Sequence, residues 1–329
     1  MSLPHINGIG TAIGSDIISP LEIAKRFGKP LRRIERLGIE RLHRFSKDET
    51  LPEKACEASL KAIHSAGISP SDVSGIFAST SSTYSMPQLA RVIGKKLELF
   101  SIPMMNISGG CAGGVHALQA AYNQFMVDNL IGKARNYLVL AGDKTSAVLD
   151  ENDWETAPLF SEGIAAIVLG PRNENSKFFL ENVRSSSVDG DIYMMHIPGS
   201  GCQRAGEEIN NNPRFRMNGE AVFKFATYDV FPEILRLQGQ DKVLKDDYFI
   251  LHQATYVISE HIAGRNNISP EQIYIDGVKN GNLVGASVFF GLEDVVNRNL
   301  ARGKNIVLGS FGADLNISVA KLRPMGYKK

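Results

Sequence analysis

Three residues of different chemistry stand at three element boundaries of this chain. Cys111 lies in Asn106-Ile107-Ser108-Gly109-Gly110-Cys111-Ala112-Gly113-Gly114. Apolar residues then recur at Val115, Leu118, Tyr122, Phe125 and Met126, the spacing of one helix face. The thiol is expected at a helix start, among unpaired backbone N–H groups and the positive end of the dipole. That setting favours thiolate, the nucleophilic form. A cysteine taken alone reads first as a small core residue beside packing glycines. Two later segments argue for chemistry. In Phe249-Ile250-Leu251-His252-Gln253-Ala254, three apolar residues end a buried strand. His252 stands at its C-terminal edge, where open α/β sheets bind ligands. In Gly281-Asn282-Leu283-Val284-Gly285-Ala286-Ser287-Val288, a Gly–Asn turn leads into a second helix. Asn282 alone would read as a helix cap. Cys, His-Gln-Ala and Gly-Asn in this order point together to covalent, nucleophilic catalysis.

The elements around these residues come in two similar sets. In the first, a helical pattern with Cys56, Leu60 and Ile63 ends at Gly67, and a strand follows at Gly75-Ile76-Phe77-Ala78. A hydroxyl-rich cluster, a helical stretch from Leu89 to Leu97, the Cys111 turn and its helix come next. Strands at 137–141 and 164–169 close the set. In the second, one helical pattern runs from Ala221 to Leu237, and a strand ends at His252. A helix from Thr255 to Ala263 precedes the Asn282 turn, and strands at 305–309 and 315–320 close it. Ile76 and Cys111 are 35 residues apart, and Ile250 and Asn282 are 32 apart, which suggests duplication. The polar, turn-prone stretch Pro171-Arg172-Asn173-Glu174-Asn175 divides the chain into halves 1–172 and 173–329. Strands alternating with helices imply mixed α/β layers. Gly8-Ile9-Gly10 lacks the acidic partner of a dinucleotide loop and reads as an N-terminal hairpin.

Composition narrows the function classes. The chain has 329 residues, 43% hydrophobic and 22% charged, enough for a large core. A net charge of +1 offers no whole-protein case for nucleic acid or membrane binding. Cys56, Cys111 and Cys202 form neither a metal spacing nor a disulfide framework, which fits a reducing, cytoplasmic setting. His252 and His261 have no third ligand in useful spacing, so no metal site is expected. Neither a signal peptide nor a membrane span is read from the sequence.

With these motifs in place, the chain resembles the thiolase superfamily, and within it the β-ketoacyl-acyl-carrier-protein synthase III family. Arg36-Leu37-Gly38-Ile39-Glu40-Arg41, Phe160-Ser161-Glu162-Gly163, Met217-Asn218-Gly219-Glu220-Ala221-Val222-Phe223-Lys224 and Phe311-Gly312-Ala313 carry the resemblance beyond the three sites. It implies a five-layered αβαβα fold of two duplicated halves and a homodimer. It implies a Claisen condensation between thioesters in fatty acid or polyketide-like biosynthesis. An acyl group from acyl-CoA or acyl carrier protein would load Cys111. The backbone N–H groups of Cys111 and Ala313 would form the oxyanion hole. His252 and Asn282 would donate to the carbonyl of a malonyl carrier-protein thioester as CO2 leaves. No cofactor beyond the thioester substrates is implied. Thiolases use a second cysteine near the C-terminus, and no cysteine follows Cys202. An acyltransferase without decarboxylation is the alternative, and a non-catalytic partner subunit a more distant one.

The resemblance has departures. Where the family clamps the coenzyme A adenine between a tryptophan and an arginine, this chain has Arg32 and Trp154, an exchanged pair that could still clamp the base. Arg36 and Gly219 join them as substrate-binding candidates. Val257 replaces a basic carrier-protein contact, for which Lys224 and Arg265 could compensate, with Arg214 and Arg216 nearby. Met86, in Ser85-Met86-Pro87, stands where the family shapes the acyl pocket across the dimer, so a primer other than acetyl is expected.

Overall fold

The computed structural model describes residues 2–82, 86–198 and 214–326. Ser85 and Cys202 lie outside the described residues. Ten strands build the core. The first five are β1 (His5–Ile13), β2 (Val73–Ser79), β3 (Met104–Asn106), β4 (Asn136–Asp143) and β5 (Gly163–Gly170). They lie in the order β3-β2-β4-β5-β1. The first two pairings in that order are parallel and the last two antiparallel. The second five are β6 (Phe178–Ser187), β7 (Asp247–Leu251), β8 (Ile273–Tyr274), β9 (Asn305–Phe311) and β10 (Asn316–Pro324). Their order, β8-β7-β9-β10-β6, repeats the first, with the same parallel and antiparallel pairings. The two sets meet where β1 pairs with β6, at His5–Phe179 and Ile6–Phe178.

Strand periodicity assigns each side chain to a layer. On β4, Tyr137, Val139 and Ala141 face the interior between the two sets, while Leu138 and Leu140 face outward. Helices α1 (Leu51–Ser65) and α2 (Leu89–Lys96) cover that outer face. Helix α3 (Gly113–Leu130) lies in the middle layer. The second half continues with α4 (Gly219–Lys224), α5 (Val230–Leu237), α6 (Tyr256–Arg265) and α7 (Ser287–Asn297). Val115, Leu118 and Phe125 of α3 and Val288, Phe289 and Leu292 of α7 share one core with strands of both sets. α5 and α6 pack on the far face, against Phe249, Val307 and Val319. The layers therefore run αβαβα.

Local signals explain the helix starts and two differences from expectation. Thr50 and Glu53 cap α1 reciprocally: the Glu53 N–H donates to Thr50 Oγ1 at 3.3 Å and the Thr50 N–H to Glu53 Oε2 at 3.1 Å. The stretch read as one helix from Ala221 to Leu237 is helical throughout but carries a π-turn at Phe225–Asp229 between α4 and α5. Gly8 and Gly10 form no hairpin; they lie inside β1, paired with β5. Their glycines have a packing cause. A Cβ on Gly8 would sit 2.0 Å from the Ala62 carbonyl oxygen, and one on Gly10 2.5 Å from that of Ala58. The backbone of α1 thus rests directly on β1.

Candidate active site

One cavity of about 1560 Å³ opens at the C-terminal ends of the parallel strands β2, β4, β7 and β9. Cys111, His252 and Asn282 all line it. Cys111 sits in a 3-10 turn, Gly110–Ala112, that runs directly into α3. Gly110 has φ +50°, a left-handed conformation that glycine adopts freely. Across from the cysteine, a Cβ on Gly312 would lie 2.8 Å from Cys111 Cβ and 3.1 Å from its nitrogen. Only glycine allows that approach. Ala313 follows, opening a short 3-10 turn whose first N–H groups have no partner within the turn. The Cys111 and Ala313 backbones thereby adjoin the thiol.

His252 directly follows β7, and its N–H donates to the Gly309 carbonyl of β9 at 2.7 Å. Its ring stands edge-on to Phe311 with centroids 5.3 Å apart, and Nδ1 lies 2.6 Å from Ser287 Oγ. Burial lowers its pKa to about 4, so the imidazole is neutral at neutral pH. Asn282 is clamped from both sides by the other half of the chain. Its N–H donates to the Leu159 carbonyl and its carbonyl accepts from the Ser161 N–H, each at 2.8 Å. Its side-chain Oδ1 accepts from the Val284 N–H at 2.8 Å. With the acceptor end engaged, the amide offers its N–H donors to the cavity. Val284 holds φ +51°, a strained conformation for a β-branched residue, at the point where it orients this amide.

The electrostatics of the thiol correct the expectation of a thiolate. Burial, with the Asp143 carboxyl adding to it, pushes the Cys111 pKa up to about 12. Its own backbone N–H acts in the opposite direction and is outweighed. Desolvation at this partly buried position outweighs what a helix start supplies and favours the protonated thiol. Asp143 ends β4, is itself buried, and accepts from Thr80 Oγ1 at 3.0 Å and the Ser81 N–H at 2.6 Å. Sequence reasoning missed Asp143 and Ser287, although the end of a parallel strand is a ligand position by rule.

The remaining candidates divide. Arg36, Trp154 and Gly219 line the cavity. Arg32 does not; Arg33 does, because successive residues of the short helix Leu31–Glu35 point about 100° apart. Arg32 and Trp154 therefore do not line this cavity as a pair. Trp154 instead packs on Phe27, and Lys29 Nζ lies 5.5 Å from its ring centroid. Met86 is 85% exposed and does not line this cavity. Lys224 pairs with Glu220 at 2.7 Å, and the Arg265 guanidinium lies 4.1 Å from the Tyr228 ring centroid. Both are exposed and off the cavity wall, whereas Val257 lines it. Leu149, Phe160 and Val284 form an apolar cluster against which Cys111 and Phe215 pack.

Comparisons with known proteins agree with this geometry. Residues 105–187 match the family description 3-oxoacyl-(acyl-carrier-protein) synthase III, and residues 243–323 match its C-terminal part. The chain is similar to the beta-ketoacyl-(acyl-carrier-protein) synthase III of Clostridium perfringens, with 30% identity over 88% of this chain and 89% of that one. The enzyme of the same name from Fusobacterium nucleatum is 30% identical over 94% of this chain and 95% of that one. Among solved structures, a priming beta-ketosynthase of a polyketide biosynthetic pathway superposes with a TM-score of 0.86 at 26% identity, covering 98% of this chain and 96% of that one. The Pseudomonas aeruginosa 3-oxoacyl-(acyl carrier protein) synthase III shares the fold, with a TM-score of 0.84 at 23% identity and full coverage of both chains. Sequence, cavity and fold converge, and the chain belongs to the β-ketoacyl-acyl-carrier-protein synthase III family of the thiolase superfamily.

Proposed function

We propose that the protein is a decarboxylating ketosynthase that loads an acyl group on Cys111 and condenses it with a malonyl carrier-protein thioester. The observation that carries this reading is the Asn282 amide, whose oxygen is engaged by Val284 while its nitrogen is left to the cavity shared with Cys111 and His252. A base-assisted acyl transfer needs the histidine; a decarboxylation gains from a second neutral donor beside it.

Two half-reactions follow. In the first, Cys111 Sγ attacks the carbonyl of an acyl-CoA or acyl carrier-protein thioester. Negative charge moves onto the carbonyl oxygen, toward the N–H groups of Cys111 and Ala313. The tetrahedral species collapses, the thiol proton leaves with the departing thiol, and the acyl-cysteine remains. In the second, the malonyl carboxylate leaves as CO2, and its electron pair becomes an enolate whose oxygen accepts from His252 and Asn282. The enolate carbon attacks the acyl-cysteine, and the thiolate released takes up one proton. Each hole donor contributes roughly 3–4 kcal/mol. We assign the halves 1–172 and 173–329 to nucleophile and donors respectively, and read the assembly as a homodimer in a cytoplasmic setting. Met86, exposed and off its own cavity, would then reach the acyl pocket of a second copy. Lys224 and Arg265 are our candidates for the carrier-protein contact, and the scheme calls for no metal or dissociable cofactor. The primer is an acyl group of fatty acid or polyketide-like biosynthesis.

Intact-protein mass spectrometry after incubation with a panel of acyl-CoAs and acyl carrier proteins tests the first half-reaction. A mass added at Cys111 names the primer, and CO2 release from a malonyl donor tests the second half. Acylation with full transfer to another acceptor and no CO2 would favour an acyltransferase instead. Light scattering at micromolar concentration tests the dimer, and an active monomer refutes it.

A further inference from the structure

A second and smaller cavity of about 420 Å³ adjoins Ser287, the hydrogen-bond partner of His252. Its lining is polar and includes Ser287, Gln253, Arg41, Tyr274 and Asp294. Gln253 is buried, and its Oε1 has no hydrogen-bond partner among the described residues. A polar space of this size is one that holds water. Ser287, the first residue of α7, is buried between the two cavities: its hydroxyl meets His252 Nδ1 at 2.6 Å, and it also lines the polar space.

We propose that Ser287 is a positioning residue that donates its O–H to His252 Nδ1 and so holds the ring as the Nε2–H tautomer, with that proton directed at the substrate oxygen. The assignment rests on our reading of His252 as a donor in the condensation. The argument is one of satisfaction. A hydroxyl has one proton and two lone pairs, and a neutral imidazole one donor and one acceptor. His252 Nδ1 is the hydrogen-bond partner that the described residues provide for Ser287 Oγ. If Oγ gives its proton to Nδ1, its lone pairs accept from water in the polar cavity, and both buried groups are satisfied. In the reverse arrangement Nδ1–H donates to Oγ, and Nε2 presents a bare lone pair to a thioester or enolate oxygen. Two acceptors then face each other as negative charge develops, which opposes the reaction. The smaller cavity thus serves the larger one by hydrating the group that sets the direction of the histidine's proton.

The test uses resting protein first. In 15N-histidine-labelled full-length enzyme, with His252 assigned by comparison with His252→Gln, the nitrogen shifts should show protonated Nε2 and bare Nδ1. Protonated Nδ1 in the wild type overturns the proposal and with it the donor role of His252, while CO2 release from a malonyl donor tests the condensation itself separately. In activity, Ser287→Ala should lower CO2 release from a malonyl donor about tenfold, the scale of one misaligned neutral hydrogen bond, while Cys111 acylation stays within about twofold. Ser287→Thr keeps the hydroxyl and should restore most of the rate. Equal loss in both half-reactions, or no rescue by threonine while acylation is intact, also overturns it. Absence of CO2 release in the wild type sinks the ketosynthase reading and leaves the tautomer result standing.

Discussion

The two halves of this molecule share a strand order and differ in what they carry at matching places. In each, the residue that follows the parallel strand at the second position lines the cavity: Thr80 after β2, His252 after β7. In each, a 3-10 turn leads into a middle-layer helix: Gly110–Ala112 before α3, Val284–Ala286 before α7. The first turn holds Cys111, and the second follows Asn282. The helix starts also touch. A Cβ on Gly114 would sit 2.3 Å from the Gly285 carbonyl oxygen, and one on Gly285 3.2 Å from the Gly114 nitrogen. A duplicated scaffold therefore brings two equivalent helix starts face to face at one cavity. In the proposed reaction, divergence of a few side chains would then divide the labour between a nucleophile and its donors.

The difference is sharpest at Cys111. Cys111→Ala should abolish acyl-enzyme formation with the fold intact, because the lost thiol is small; intact mass after acyl-CoA treatment reads this. Undiminished acylation would move the nucleophile elsewhere. The residue before the equivalent turn of the other half should behave oppositely. Asn282→Ala should still acylate at Cys111 but lose CO2 release by at least roughly a hundredfold, the scale of one oxyanion donor. Normal CO2 release with failed acylation would reverse the assigned division.

The contact between the two helix starts can be broken without removing any functional group. Gly114→Ala places a methyl against the Gly285 carbonyl. It should destabilise the protein by about 1–3 kcal/mol, the usual cost of overpacking, measured by urea unfolding. Gly264→Ala in α6 meets nothing within 4 Å. That control should be neutral or stabilise by up to about 1 kcal/mol through helix propensity. Equal effects in the two variants would remove the contact as a structural constraint.

The smallest expected effect comes from His252. Its folded pKa, about 4, lies below the ordinary histidine value of 6.5. The unfolded chain therefore binds more protons at this site between those values. The neutral histidine's stability is full above pH 6.5 and is lost progressively as pH falls toward 4. At pH 5.5 the loss should be about 1 kcal/mol, by the linkage relation. His252→Gln should lack that component in a pH series of unfolding midpoints, and an unchanged series would place the histidine in a wetter site.

Several elements were legible in the sequence and others were not, for physical reasons. The helices α1, α2, α3 and α7 and the strands β2, β4, β5, β7, β9 and β10 announce themselves by period and by their turn residues. β1 does not, because Gly8 and Gly10 look like a turn; they are there for the approach of α1, a neighbour 50 residues away in sequence. β6 escaped because its outer end, Arg184-Ser185-Ser186-Ser187, is polar and its pairing with β10 carries a register shift. These two are the first strands of their halves and join the two sets. Arg33 lines the cavity where Arg32 was expected, because one residue on a helix turns the side chain by more than a quarter of a circle.

By itself, the sequence determined which residues stand at element boundaries. Period and glycine placement are local, and they locate Cys111 before one helix, His252 after one strand and Asn282 before another helix. The layered α/β class and its duplication follow from the same order of elements. Tertiary structure decided the state of those groups. Whether the thiol is ionised depends on how much water the cavity admits and on Asp143, 32 residues away in the chain. Whether Asn282 presents oxygen or nitrogen depends on which end Val284 occupies, and the tautomer of His252 on a hydroxyl 35 residues further on. Desolvation and hydrogen-bond satisfaction are properties of the packed whole, so no local pattern encodes them.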